Sequence, residues 1–364
     1  MMDKPHLLCF YVHRSSFVAR DIELLSPYYT IHEFDFATRK KAALPLKFLL
    51  QAWFLLRYRR RAVASLTIIA GYVSFLPAFF DRFLGLRSVI VLGGTDSTCF
   101  PSIGYGNYSR RLMGAFTCWS LRWSSYLAPV YTTLEHTAYT YDPSGAPYQG
   151  FRHFCKQVGT PVVEIWNGFA PEDWPLRDGE PPKAHFITII ATLDSYRKFM
   201  LKGVDLIVEA ARRLPEATFT IVGSTQAPRW IPPELKNITL LPPTDRQGLI
   251  ALLHQHRFYL QLSLSEGFPN ALCEAMLCGC IPIGSAVAAI PFIVGDTGYL
   301  LERKDPDALE KLLRSALEDT DEDTERSGEA ARARVAGTFP PALRRERLRA
   351  LIDARPEQLG QLSR

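Results

Sequence analysis

The stretch LSLSEGFPNALCEAMLCGCIPIGS, Leu262 to Ser285, decides the fold. The apolar run Phe258 to Leu264 reads as a buried strand, ended by a turn at Ser265-Glu266-Gly267. Pro269 sits where a helix can begin, because its fixed φ suits the first turn and that turn's N–H has no intrahelical partner anyway. Gly279 closes the helix through its tolerance of positive φ, and Ile281-Pro282-Ile283 reads as a second short strand. The order is strand, ligand-facing turn, helix, strand. A helix N-terminus at the carboxyl end of a strand attracts anions, whereas Glu266 and Glu274 carry like charge to them. A phosphate-bearing ligand that also offers hydroxyls, a nucleotide sugar, reconciles the two.

Working outward, Phe186 to Thr192 opens the sheet to which this strand belongs. Lys202-Gly203 precedes a helix from Val204 to Leu214, apolar at 204, 206, 207, 210, 211 and 214. Strands follow at Phe219 to Gly223 and Ile238 to Leu241, then a short helix from Asp245 to His254. Arg326 to Leu351 reads as one basic helix. The first half repeats the alternation: strands at Leu7 to Val12, Tyr28 to Phe36, Thr67 to Ala70, Ser88 to Leu92, within Arg122 to Thr133, and at Pro161 to Ile165. Thr137 to Gly150 is rich in Tyr, Pro and Gly and reads as loop. Four prolines between Pro171 and Pro182 mark a boundary. Strands alternating with helices imply parallel, doubly wound sheets, and 364 residues exceed what one core supports. The expected class is α/β with two Rossmann-like domains.

In such sheets ligands gather outside the strands' carboxyl ends. Two first-half loops sit there, His13-Arg14-Ser15-Ser16 and Gly93-Gly94-Thr95-Asp96-Ser97-Thr98. The glycines let backbone approach a ligand, and Ser15, Thr95 and Tyr105 offer hydroxyls to an acceptor. Asp96 reads either as the cap of the next helix or as a group facing the reaction.

Composition is that of a folded protein, 47% hydrophobic and 22% charged, with a net charge of +5. The seven cysteines, at 9, 99, 118, 155, 273, 278 and 280, fit neither a metal knuckle nor a disulfide framework and read as buried thiols. No apolar run reaches the length of a membrane span, and the N-terminal MMDKPHLLCFYVHR reads as a first strand rather than a signal peptide. A cytoplasmic location is expected. Leu44 to Arg61, LPLKFLLQAWFLLRYRRR, is apolar around most of a helix and ends in Arg57, Arg59, Arg60 and Arg61. It reads first as a buried crossover helix whose cations complement its dipole. The sharper account is a helix on the inner face of an anionic membrane, a peripheral association through residues 44–61. Nucleic-acid binding is not expected, because no basic and aromatic interleaving continues beyond it.

Taken together, the E-x7-E pair in SEGFPNALCEAMLCGCIPI, the KGVDLIVEAARRLP stretch, FTIVG, VGDTGYLL and IWNGF resemble the GT-B fold retaining glycosyltransferases of family 4, the group 1 glycosyl transferases. The resemblance is specific over about residues 160–310. It implies two Rossmann-like domains facing across a cleft: an acceptor-binding domain over 1–170, a nucleotide-sugar-binding domain over 171–340, and a C-terminal helix over 341–364 that returns to the first domain. It implies transfer of a sugar from a nucleoside diphosphate to a glycan or lipid-linked acceptor, in cell-envelope polysaccharide or glycolipid synthesis, without cofactor or metal. Catalytic residues by this resemblance are Glu266, Asp96 and Lys202; donor-binding residues are Gly223, Gly267, Phe268, Asn270, Glu274 and Arg197. Glu266 takes the sugar hydroxyls, Glu274 the ribose and Lys202 the diphosphate. The sequence departs from the family where an arginine is expected, reading Ala191-Thr192-Leu193, and Arg197 or Lys198 is left to supply that charge. Asp305-Pro-Asp307 and Asp319-Thr-Asp321 lie in polar segments and read as surface charge rather than a metal site. The rival reading is a catalytically silent GT-B module that binds the sugar nucleotide.

Overall fold

The first half of the chain forms a five-stranded sheet, ordered β2-β1-β3-β4-β5 with every pairing parallel. The computed structural model describes residues 4–38, 40–143, 145–177, 182, 184–225 and 228–354. The end of the C-terminal segment, 355–364, and part of the proline-rich stretch, 178–181, lie outside them. The elements in order are β1 (His6–Tyr11), α1 (Ser16–Leu25), β2 (Thr30–Asp35), α2 (Leu44–Tyr58), β3 (Ala62–Ile68), α3 (Tyr72–Leu84), β4 (Ser88–Leu92), α4 (Arg111–Trp123) and β5 (Tyr126–Pro129). Helices on both faces bury most of the central strands, so β1 and β4 are near-continuous apolar runs rather than alternating ones. A two-stranded antiparallel ribbon, β6 (Thr137–Ala138) with β7 (Tyr148–Gln149), and the short α5 (Phe151–Phe154) follow.

The second sheet has six parallel strands in the order β10-β9-β8-β11-β12-β13. Its elements are β8 (Ala184–Ile189), α6 (Tyr196–Leu201), α7 (Val204–Arg213), β9 (Phe219–Val222), β10 (Ile238–Leu241), α8 (Arg246–His254), β11 (His256–Gln261), α9 (Asn270–Leu277), β12 (Ile281–Ser285), α10 (Ile290–Val294) and β13 (Tyr299–Leu301). Three helices end the described chain: α11 (Pro306–Leu317), α12 (Asp321–Thr338) and α13 (Pro341–Asp353). In this sheet the strand order reverses between β8 and β11, the switch point at which α/β sheets leave a crevice.

The chain divides into two compact units. Unit 1 is Met1–Ala138, Tyr148–Asn167 and Pro341–Arg364; unit 2 is Tyr139–Pro147 and Gly168–Pro340. The basic run read as one helix from Arg326 to Leu351 is therefore two, α12 in unit 2 and α13 in unit 1. Pro340 and Pro341 cause the break, since each disfavours helical φ/ψ at the residue before it and Pro removes an N–H donor. Within unit 1, α13 is anchored by Arg344, whose guanidinium grips Asp21 on α1 at 2.5 and 2.7 Å and donates to the carbonyls of Ile165 and Trp166.

Three further expectations are corrected. Pro161 to Ile165 is not a full strand: it runs beside β5 with a single bridge, Leu127 to Val162, and although Val163 and Ile165 N–H donate to the Leu127 and Pro129 carbonyls, the next rung of the ladder would need an N–H that Pro129 lacks. Helix α2 is not a buried crossover, for only Gln51 and Leu55 on it are buried. Of the seven cysteines, Cys118 on α4 and Cys155 after α5 are joined as a disulfide, while the other five are free and buried.

Candidate active site

Glu266 lies in the turn that follows β11, at the switch point. Three donors converge on its Oε1: Lys202 Nζ at 2.5 Å, Ser263 Oγ at 2.7 Å and Gln261 Nε2 at 3.0 Å. Its Oε2 has no partner among the described residues. Gln261, Ser263 and Ser265 recur at every second position inside an otherwise apolar run, so alternate residues face the same side of the strand's end. That period-two polar pattern is the signal by which Gln261 and Ser263, missing from the sequence-based set, were open to detection. Ser263 is held in turn by Ser285, whose hydroxyl donates to the Ser263 carbonyl at 2.7 Å.

Lys202 reaches Glu266 through a glycine. It ends α6, and Gly203 caps α7 with φ of 67°. A Cβ on Gly203 would lie 2.0 Å from the Leu262 carbonyl oxygen, so only glycine lets the α6–α7 junction approach the end of β11 this closely. The Leu264 N–H donates to the Leu201 carbonyl at 2.9 Å and fixes the register of the two segments. Tyr139 braces the same turn: its half-buried hydroxyl donates to the Leu264 carbonyl at 2.9 Å. The segment 139–147, read from sequence only as loop, belongs to unit 2 and is held there by Lys304, which pairs with Asp205 at 2.7 Å and with Asp142 at 3.4 Å.

Along the same edge, the ends of β8 and β9 enclose a cavity of about 440 Å³ lined in part by Thr192, Asp194, Gly223, Arg229 and Trp230. Gly223 has φ of 119°, and a Cβ there would stand 1.8 Å from the Ile190 carbonyl oxygen. Lys198, not Arg197, meets Thr192. Its ammonium lies 2.5 Å from Thr192 Oγ1 and 2.9 Å from Asp194 Oδ2, and this contact holds the Asp194 carboxyl below its ordinary range. Arg197 is exposed on α6.

Downstream, Gly267 is buried in the turn, while Asn270 and Glu274 are half-buried one helical turn apart on α9, and so share a face. Phe268 differs from its expected role. Its ring is buried, stacked on Phe169 and edge-on to Phe339, so its side chain is packing rather than a ligand contact. The two Asp-x-Asp pairs are engaged elsewhere: Asp305 caps α11, Asp307 and Asp321 pair with Arg213 and Arg257, and Asp319 accepts from Tyr299.

In unit 1 the candidate residues separate into two kinds. Asp96 is fully buried; its Oδ1 accepts from Gly93 and Gly94 N–H and its Oδ2 from Ala70 N–H at 2.8 Å. Burial pushes this carboxyl up to about 6 against the pull of those amides. Asp96 therefore ties the loop after β4 to the loop after β3, with both of its carboxylate oxygens engaged by backbone N–H groups. Ser15 likewise caps α1, accepting from Val18 N–H. Thr95 and Tyr105 are brought together, hydroxyl to hydroxyl at 3.1 Å. His13, Ile69 and Ala288, all non-glycine residues with positive φ, follow β1, β3 and β12 closely. Such strain concentrates where a scaffold holds a functional loop in place, and here it marks the carboxyl edge of each sheet.

Residues 187–319 match the family model described as glycosyl transferases group 1. A D-inositol 3-phosphate glycosyltransferase of Mycobacterium sp. (strain KMS) is 27% identical over 118 residues, which are 29% of this chain and 27% of that one. The chain thus matches little more than a quarter of that relative's length. Among solved structures, sucrose-phosphate synthase from Thermosynechococcus elongatus superposes with a TM-score of 0.67 at 15% identity, over 99% of this chain and 98% of that one. Anabaena Alr3699/HepE, solved in complex with UDP and glucose, gives 0.69 at 14% identity over 97% and 100%. The chain has the GT-B fold, with two Rossmann-like domains, and the stretch of its second unit from 187 to 319 is similar to the group 1 glycosyl transferases.

Proposed function

We propose that this chain is a retaining glycosyltransferase of family 4 that moves a sugar from a nucleoside diphosphate to a glycan or lipid-linked acceptor. The observation that carries the reading is the convergence of Lys202, Ser263 and Gln261 on one oxygen of Glu266, at the switch point of the unit 2 sheet. A carboxylate pinned through Oε1 keeps Oε2 in a fixed direction for sugar hydroxyls. Lys202 beside it stabilises the negative charge that grows on the diphosphate as the glycosidic bond breaks. The cavity at Gly223 and Trp230 suits the base and ribose end of the donor, with Glu274 on the ribose and the start of α9 near phosphate. No residue is assigned as general base, in keeping with front-face attack assisted by the leaving phosphate, and no metal or cofactor is invoked. Thr95 and Tyr105 are acceptor-side groups. The reaction belongs on the cytoplasmic side, in envelope polysaccharide or glycolipid synthesis.

The rival, a silent binding module, rests on the absence of an arginine at Thr192. Lys198 weakens it, because its ammonium supplies a cation at that position. A thermal-shift series with UDP-, GDP- and ADP-sugars tests the donor reading, since a ligand bound to the native state raises the melting temperature. UDP-glucose comes first, as HepE was solved with UDP and glucose. Stabilisation by one donor, lost in Lys202→Ala, supports the reading; no shift with any donor sinks it. Binding without nucleotide release in the presence of acceptor extracts would favour the silent module.

A further inference from the structure

Helix α2 is apolar on both of its sides. Inward, Phe48, Phe54, Leu55 and Tyr58 join the core cluster around Phe10 and Phe36. The outward positions 46, 49, 50, 53 and 56 follow the three-and-four spacing of a second face, and they are Leu46, Leu49, Leu50, Trp53 and Leu56, between 46% and 69% exposed. An ordinary surface helix carries charge there. The apolar face continues onto the neighbours of α2: Phe79 and Phe83 on α3, and Leu112 and Trp119 on α4, are exposed as well. Ring contacts join the three helices into one sheet of side chains, from Phe48 to Phe75 and Phe116, then from Phe75 to Trp119 and Trp123.

Charge on this region has one sign. No acidic residue occurs from 36 to 80 or from 97 to 134, while these two stretches hold eleven Lys and Arg, more than twice the net +5 of the whole chain. Asp81, the acid on α3, is turned inward and accepts from the Ser88 N–H. Arg57, Arg59, Arg60 and Arg61 cluster at one end of the exposed apolar face of α2 and beyond it.

We propose that the α2–α3–α4 face of unit 1 seats this protein on an anionic lipid bilayer. Leu49, Trp53, Phe83 and Leu112 enter the boundary between headgroups and acyl chains, and the arginines meet lipid phosphates. Trp suits that boundary, with an apolar body and one N–H donor. The helix lies on the membrane and does not cross it: at fifteen residues it is about 22 Å long, and none of the described helices is long and apolar enough to span. A second copy is a poor occupant, because a symmetric contact would bring two unbalanced basic clusters together. The inference stands apart from the donor-site reading.

The test is co-sedimentation of the full chain with vesicles of phosphatidylcholine alone, or of phosphatidylcholine and phosphatidylglycerol in equal parts. Binding is expected to the anionic vesicles and to weaken with added salt. Replacing Arg57, Arg59, Arg60 and Arg61 by Gln should reduce it on the order of a hundredfold, and Leu49→Ser with Trp53→Ser should reduce it comparably. These side chains are exposed apart from the half-buried Arg59, and none lies in the core, so the variants should melt as the parent does and keep any donor-induced shift, which separates loss of docking from loss of fold or of donor site. No sedimentation with either vesicle overturns the proposal, and so does binding that both variants leave unchanged. Self-association that Leu49→Ser with Trp53→Ser abolishes, without vesicle binding, assigns the face to a second copy instead.

Discussion

Unit 1 and unit 2 share one architecture, a parallel sheet with helices on both faces, yet their outer surfaces are built on opposite principles. Among the described residues, unit 2 exposes one large hydrophobic side chain at its surface, Tyr196. Its helices carry interlocked charges instead, as where Arg213 on α7 meets Glu209 and Asp307. Unit 1 leaves Leu, Phe and Trp exposed across α2, α3 and α4, helices that carry cations and a single acid, the inward-turned Asp81. Topology fixes where a ligand gathers, at the carboxyl ends of the strands, but it does not dictate the outer helix faces. On the docking proposal, that contrast follows from unit 2 facing water while the α2–α3–α4 face of unit 1 meets an anionic bilayer.

The largest effect that can break this contrast lies in unit 2. Glu266→Gln keeps the size of the side chain but removes the charge that Lys202, Ser263 and Gln261 converge on. Transfer from the donor found by thermal shift should fall by about 10²–10³-fold, with circular dichroism unchanged. Near-parental turnover would mean that the turn after β11 is not the chemical centre, and unit 2 would lose its assigned part.

Stability effects come next and run the other way, with the greater loss in unit 1. The Arg344 and Asp21 side chains are both 1% exposed, so Arg344→Met strands a carboxylate in the core and should cost about 3–5 kcal/mol in urea unfolding. Adding Asp21→Leu to that variant should recover a large part of the loss; if it recovers nothing, packing rather than charge is at stake. Glycines sharpen the comparison. Gly203→Ala in unit 2 meets backbone at 2.0 Å and should cost about 3 kcal/mol, whereas Gly85→Ala in unit 1, at φ of 72° with nothing within 4 Å of its added Cβ, should cost about 1 kcal/mol. Equal costs would show that the close approach behind Lys202 relaxes easily.

Much of unit 2 was legible because its strands are short apolar runs bounded by Gly and Pro, and because the turn after β11 carries its acid beside a helix start. Strand β11 ends at Gln261, not Leu264, since Ser263 and Ser265 leave the ladder at the turn that shapes Glu266. Unit 1 was harder to read for physical reasons. A helix apolar on every side has the same pattern whether both faces are buried or one awaits a partner, which is how α2 came to read as a buried crossover. Asp96 occupies a loop composition that suits a site equally well, and only the placement of Ala70, Gly93 and Gly94 N–H reveals that its oxygens are engaged. The Cys118–Cys155 pairing depends on how α4 and α5 pack, and spacing alone does not carry that. Lys198 reaches Thr192 because α6 begins at Tyr196 and aims the ammonium back at the loop it leaves.

The smallest expected effect separates the units by pH. His256 at the start of β11 is buried, with Nδ1 against the Leu252 carbonyl and Nε2 against Thr220 Oγ1, and burial holds its imidazole below the ordinary range. The folded chain therefore takes up this proton less readily than the unfolded chain does. Its contribution to stability is whole above about 6.5, the unfolded value, and declines as pH falls through the lower folded value. Asp96 in unit 1 runs in the opposite sense. With its folded carboxyl pushed up to about 6, its contribution is whole below about 3.9 and is lost as pH rises through about 6. Hydrogen-exchange protection factors, compared between pH 5 and pH 8, should thus fall on acidification in β11 and β9 of unit 2 while rising around the β3 and β4 loops of unit 1. His256→Gln should flatten the first change and leave the second intact; an unaltered slope in β11 would remove His256 as its source.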